Sequence, residues 1–235
     1  MAGPNRLSGE LSVFAAYQRI RIINLASRRD RRRQMRRELS RVGLAGDRRV
    51  AFFEAVKPDA AAPWRSIGER GCFESHLAIL KEAAEAGESV MILEDDADFT
   101  AAAGLRRPEV DVLWGGGTYH SDEHIEGTHC IGFSAQAAKR LVPFLEGLKG
   151  HPSPPPIDGA YVWFRRANPD IRVHLCAPQI AVQRPSVSDI AGARGLDRYS
   201  VARPALAVLR RIKREWRRRR LNGRSRPRRS ASSPT

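Results

Sequence analysis

Residues 90–99 read VMILEDDADF. Four apolar residues run straight into Glu94, Asp95, Asp96 and Asp98. Carboxylates this close repel, so some must bind protons or share a cation. A hard divalent ion, Mg²⁺ or Mn²⁺, accepts oxygen ligands of this kind. Held by one or two carboxylates, it keeps positions open for phosphate oxygens and can neutralise the charge of a departing diphosphate. The plainer alternative is an acidic surface turn whose carboxylates cap a helix. Glycosidase chemistry fits poorly, because it needs two carboxyl groups roughly 5–10 Å apart on opposite sides of a bond. If the chain stays extended past residue 93, Glu94, Asp96 and Asp98 face one way and Asp95 the other.

The elements that must position these groups follow from local pattern. IRIINL at 20–25 is a β-branched strand. RRRQMRRELSRVGL at 31–44 is a helix, with Met35, Leu39 and Val42 on one stripe and Gly43 at its end. VAFF at 50–53 is a second strand. Ser75 reads as the N-cap of a helix over HLAILKEAAEAG, closed by Gly87. VMIL at 90–93 has the fully apolar character of a central strand covered on both faces. VDVLW at 110–114 is a strand ending at GGG. Ser134 caps a helix to about Leu148, with Ala138, Leu141 and Leu145 inward. HPSPPP is a loop, and AYVWF and IRVHL are late strands. Alternating strands and helices predict an α/β fold with a mostly parallel sheet. The acidic cluster then lies at the carboxyl end of a strand, where open α/β sheets bind ligands.

The 235 residues suit one domain with an appendage. The formal net charge is +15, but residues 203–235 hold 13 Lys and Arg against one Glu, so most of it belongs to a tail. Cys72, Cys130 and Cys176 form neither a disulfide framework nor a zinc-ligand spacing, and read as small buried apolar residues in a reducing compartment. The first residues lack a signal peptide's apolar core, and no run approaches a membrane span. A cytoplasmic protein is expected.

Several stretches together resemble glycosyltransferase family 25, the lipopolysaccharide and collagen glycosyltransferases. IINLASRRDRR is similar to its INL…R-x-D-R segment, GERGCFESHLAIL to GE-x-GC-x-x-SH, and ILEDDA to LEDD. EGTHCIGFSAQAAKRL, PPPIDGAYV and PQIAVQRPSVSDI are similar to its later segments, in order, over about residues 20–190. The resemblance implies a GT-A-like (Rossmann-like) fold and inverting transfer of a hexose from a nucleotide-sugar, usually a UDP-sugar. It implies Mn²⁺ or Mg²⁺ as cofactor, with Asp96 as direct ligand and Asp95 next. It places Asn24, Arg31, Glu94, Asp95, Ser75 and Gln183 on the donor, with Ser188 and Asp189 ordering a loop over it. Asp158 and His76 are the catalytic candidates, Asp158 as the general base that inversion requires. Each has a plainer reading: Arg31 on a solvated face, Ser75 as a cap, His76 as a packed core residue, Asp158 as a loop cap. Three departures stand out. Ala26 replaces a frequent Asp, Arg70 and Glu74 replace apolar residues, and Cys130–Ile131 replace an Ala-Tyr pair.

The expected organisation is an N-terminal extension over 1–18, the transferase-like domain over 19–202, and a basic tail over 203–235. In that tail Ala205, Val208, Leu209, Ile212 and Trp216 share a helical face before an Arg-rich disordered end. Such a helix either lies on an anionic membrane surface, suiting a lipid-linked saccharide acceptor on the inner leaflet, or docks on the domain. Two rivals to catalysis are a non-catalytic transferase-like interaction module and a nucleic-acid-binding protein. Against the latter, charge is confined to the termini and no aromatic–basic platform is present.

Overall fold

The computed structural model describes residues 12–105 and 108–184. The expected tail over 203–235, with Ser188 and Asp189, lies outside the described residues.

The strands are β1 (Arg19–Asn24), β2 (Val50–Glu54), β3 (Val90–Glu94), β4 (Ala97–Phe99), β5 (Val112–Ser121), β6 (His124–Phe133), β7 (Val173–Leu175) and β8 (Ala181–Gln183). The α-helices are α1 (Arg29–Arg41), α2 (Ile67–Ala86), α3 (Ala135–Leu148) and α4 (Ile157–Ala167). Six strands form one sheet in the order β2-β1-β3-β6-β5-β7, and β4 pairs with β8 in a small antiparallel sheet. In the large sheet β1 is parallel to both β2 and β3, and β5 to β7, while β6 alone runs the other way. The fold is therefore α/β with a mostly parallel central sheet, as the alternation predicted.

β3 sits at the centre. Val90 and Ile92 pack on the face covered by α2, α3 and α4, and Met91 and Leu93 on the face covered by α1 and the 13–17 segment. All four are fully buried, each stabilising the fold by roughly 1.5–3 kcal/mol. This pins the strand's end, and so the start of the acidic turn. Upstream of residue 19, Val13, Phe14 and Tyr17 are buried in the same core, so the packed structure begins before the expected domain start.

Some elements differ from the sequence reading. α2 begins at Ile67, capped by Ser66, whose side chain accepts from the Glu69 amide. Ser75 is therefore inside the helix and caps nothing. Glycines 68 and 71 disguised the first turns. Gly71 is present because a Cβ there would lie 2.5 Å from the Val56 carbonyl oxygen. AYVWF is not a strand but part of α4. Ile157, Ala160, Tyr161 and Phe164 are buried at helical spacing after Pro156. β5 does not stop at GGG but runs through it. A Cβ at Gly115 would come within 2.8 Å of Cys130 Sγ and Ile180 Cδ1, so the strand needs glycine to approach its neighbours. β6 has no counterpart in the sequence reading.

Candidate functional site

β3 ends at Glu94, Asp95 and Asp96 form a turn, and β4 starts at Ala97. The chain does not stay extended, so the alternation expected for the four carboxylates is lost. They divide by partner instead.

Asp95 is buried, and both its oxygens are taken. Asn24 Nδ2, at the end of β1, donates to Oδ2 at 2.6 Å, and Arg31 Nη1, in the first turns of α1, donates to Oδ1 at 2.9 Å. Asn24 also donates to the Arg28 carbonyl at 3.2 Å, tying the β1–α1 loop to the turn. Arg31 is itself buried and lies 3.5 Å from Asp96 Oδ2, which excludes the solvated-face reading. Asp96 Oδ2 also lies 3.4 Å from Gln183 Nε2, on β8. Asp96 Oδ1 is buried with no hydrogen-bond partner among the described residues. Burial raises the Asp96 pKa to about 6, with Arg31 opposing the shift and Asp95 adding to it.

Asp98 is held by a buried ion pair with Arg184. Its Oδ1 accepts from Arg184 Nη2 at 2.8 Å and Nε at 3.1 Å. Arg184 Nη1 reaches Gln34 Oε1 at 2.6 Å, and its amide donates to the Asp96 carbonyl at 2.7 Å.

Glu94 turns to the other face of the sheet. Thr128 Oγ1 donates to its Oε1 at 2.9 Å. Burial, then the Asp96, Asp95 and Asp158 charges, push its pKa up to about 8. Asp158, in the first turn of α4, accepts from the Gly127 amide at 3.0 Å and from the Gly159 amide at 2.8 Å. Gly127 has φ +89°. Its carbonyl accepts from Trp114 Nε1 at 2.9 Å. The half-buried Asp158 carboxylate is thus aimed by β6 on one side and its own helix start on the other.

His76 is fully buried in α2. Its Nδ1 lies 2.9 Å from the Tyr161 hydroxyl, its Nε2 has no hydrogen-bond partner among the described residues, and burial lowers its pKa to about 3. Ser75 is also fully buried, and its hydroxyl is committed. It donates to the Gly71 carbonyl at 2.6 Å and accepts from the Val56 amide at 2.9 Å, clamping α2 to the chain after β2. Ser75 is therefore a brace within the fold. Gln183 is exposed beside Asp96.

Beside Asn24 opens a cleft of about 440 Å³, lined by Asn24, Ala26, Arg29, Arg32, Arg33, Arg36 and Glu54. Arg32 lies over the Phe52 ring at 4.3 Å. Ala26, where the resembling family often has Asp, leaves this wall more basic. The structure thus joins Asn24, Arg31, Asp95, Asp96 and Gln183 at one turn, and sets Glu94, Asp158 and His76 behind it. Sequence reasoning passed over Arg184 and Thr128, whose polar side chains stand in stretches quoted only as motif text. It also passed over the cleft arginines, which sit on the exposed face of an Arg-rich helix.

No protein-family model matches the sequence, and no curated protein matches it. Among solved structures the chain is similar to a glycosyltransferase involved in the glycosylation of the major capsid of PBCV-1. The identity is 12%, the match covers 72% of this chain and 94% of that one, and the TM-score is 0.47.

Proposed function

We propose that the protein is an inverting glycosyltransferase that moves a hexose from a UDP-sugar to a saccharide acceptor by a metal-assisted single displacement. The observation that carries this reading is Asp96 Oδ1, a buried carboxylate oxygen without a hydrogen-bond partner among the described residues, at the carboxyl end of a central strand and next to an arginine-lined cleft. A buried carboxylate left half-satisfied is costly, and a cation is the partner that relieves it. Asp96 and Asp95 are the proposed ligands; each Asp95 oxygen keeps a lone pair beyond its present hydrogen bond. Bound there, Mn²⁺ or Mg²⁺ would neutralise charge on the leaving diphosphate.

The protein's own groups do the rest. The cleft by Asn24 has room for a nucleotide, and Arg29, Arg32, Arg33 and Arg36 offer charge-assisted hydrogen bonds to phosphate. Arg31 and Asn24 hold Asp95 in place, so the turn is formed before donor arrives. Gln183 stands where a sugar hydroxyl could be hydrogen-bonded. Asp158 is the proposed base. Two backbone amides fix its carboxylate, and each oxygen retains a lone pair to take the acceptor hydroxyl's proton. His76 and Ser75 act from beneath, by holding Tyr161 and the chain after β2.

Among the described residues no helix is long and apolar enough to cross a membrane. The lipopolysaccharide-type or lipid-linked acceptor, and anchoring of the basic tail on an anionic membrane, remain part of the proposal. Removing residues 204–235 tests the anchor by release from anionic vesicles.

The deciding experiment is calorimetry of the full chain against a panel of UDP-sugars, with and without Mn²⁺, followed by assay of UDP release. Metal-dependent binding of one donor with slow hydrolysis supports the reading. No binding across the panel in either condition sinks it and leaves the interaction-module alternative.

A further inference from the structure

A second group of metal-type ligands lies outside the acidic turn. Cys72 and His76 are four residues apart on α2, so their side chains share one face of the helix. Glu94 comes to that face from the end of β3. Cys72 Sγ, a ring nitrogen of His76 and a Glu94 carboxylate oxygen all lie within 4.8 Å of one another. We propose that Cys72, His76 and Glu94 form a binding site for a borderline-soft divalent cation, Zn²⁺ in particular, distinct from the hard-ion site at Asp96.

Three features support it. The first is the donor set. Sulfur, nitrogen and oxygen together select Zn²⁺ over Mg²⁺ or Mn²⁺, and three protein ligands leave a fourth position for water. Ligands bound to one Zn²⁺ at about 2.0–2.3 Å stand about 3.3–3.8 Å apart, so an inward closure of about 1 Å completes the shell. The second is His76. It is fully buried, its Nδ1 already faces the Tyr161 hydroxyl, and Nε2 is an orphaned polar atom. A buried imidazole with one nitrogen oriented by a hydroxyl and the other unclaimed is the usual state of a metal-binding histidine awaiting its ion. The third is Glu94, whose Oε1 is already oriented by Thr128. Thr128 and Tyr161 thus supply the outer hydrogen bonds that metal ligands require.

The ion would tie α2 to the end of β3 where the acidic turn starts. Binding releases the Cys72 thiol proton to solvent, and the resulting thiolate and the Glu94 carboxylate balance the two positive charges of the ion. The three thiols are free, as this chemistry needs.

The test is a Co²⁺ titration of the metal-free full-length chain. One equivalent is expected to produce a near-ultraviolet thiolate-to-cobalt charge-transfer band and the visible bands of a tetrahedral ion, both erased by Zn²⁺. Cys72→Ser removes the thiolate band, Cys176→Ser keeps it, and His76→Gln weakens Co²⁺ binding at least about tenfold. Asp96→Ala keeps the band while losing donor binding, so failure of this site and failure of the transferase reading are separable. Absence of the band in folded wild-type protein overturns the proposal, as does its persistence in Cys72→Ser. The wild-type titration decides alone if a variant does not fold.

Discussion

Asp96 and Asp98 are two residues apart, both buried, and flank the same turn, yet they are paired to different degrees. Asp98 is 1% exposed and grips Arg184 through two nitrogens. Asp96 is 5% exposed and shares its cation: Arg31 lies 3.5 Å away and is held closer, at 2.9 Å, by Asp95. Burial is common to both, so burial does not mark function. The difference lies in charge pairing. A carboxylate gripped by its own buried arginine belongs to the fold, and one that shares a more distant cation is poised for a ligand.

Breaking the more tightly paired member should cost most. Asp98→Ala leaves the Arg184 guanidinium buried without its carboxylate, and losing one partner of a buried pair costs about 3–5 kcal/mol. Thermal and urea unfolding should both register it. Stability within about 1 kcal/mol of wild type would mean that the pair contributes little, and the contrast with Asp96 would collapse.

Removing the more loosely paired member should show the reverse pattern. Asp96→Ala is expected to leave the folded state as stable as wild type, or more so, because it deletes an unsatisfied buried charge. It should weaken Mn²⁺-dependent donor binding more than about hundredfold, since even outer-shell changes at metal sites cost about 10–100-fold. Calorimetry with and without Mn²⁺ reads this directly. Donor affinity unchanged by the substitution would remove the metal from Asp96.

How much of this was legible in the sequence follows the same line. β1, α1, β3 and α3 were readable because apolar period and cap agree locally: Met35 and Leu39 on one stripe, Ser134 before Ala135. α4 was not, because its five-residue stretch of apolar and aromatic residues fits a strand equally well, and helical spacing emerges only once Ile157 and Phe164 are counted together. β6 was masked by Gly127, Thr128 and His129, which drew attention as motif and not as strand. At the site, adjacency revealed Asp95 and Asp96, and the position after a buried strand implied a ligand-binding end. Which carboxylate takes an arginine of its own was not readable. Arg184 is one of 41 Lys and Arg, and it meets Asp98 from 86 residues away through the β4–β8 pairing. Nor does spacing show that the chain turns at Asp95, which sends Glu94 and Asp98 to opposite sides.

Protonation sharpens the comparison further. Burial holds the Asp96 pKa at about 6, above its ordinary 3.8, so the metal-free folded chain carries more protons than the unfolded chain between those values. Stability from this group is therefore fully present below pH 3.8 and lost as pH rises through about 6. Glu94, raised to about 8, acts in the same sense over a higher window. Mn²⁺ needs the ionised carboxylate, so its stabilising effect should grow over the range in which the metal-free protein weakens. Between pH 7 and pH 5 its affinity should fall roughly tenfold. A thermal-shift series with and without Mn²⁺ reads both slopes, and Asp96→Asn should flatten the metal-dependent one. A pH-independent Mn²⁺ effect would place the ion elsewhere.

The smallest expected effect concerns the far wall, where Asp158 takes two backbone amides and so, like Asp98, is held by groups of the fold. Its aim depends on Gly127, whose φ of +89° presents the amide to the carboxylate. Gly127→Ala forces a side chain into that conformation at a cost of about 1–2 kcal/mol, a Tm loss of roughly 2–8 °C for a chain this long. If the strand relaxes instead, the amide swings away and Asp158 loses its orientation. Donor affinity should then hold, because Asn24, Arg31 and Asp96 are untouched, while turnover with acceptor falls. Equal losses in donor affinity and turnover would show that the two walls are one cooperative unit, and that the aim of Asp158 is not separable from the state of the turn.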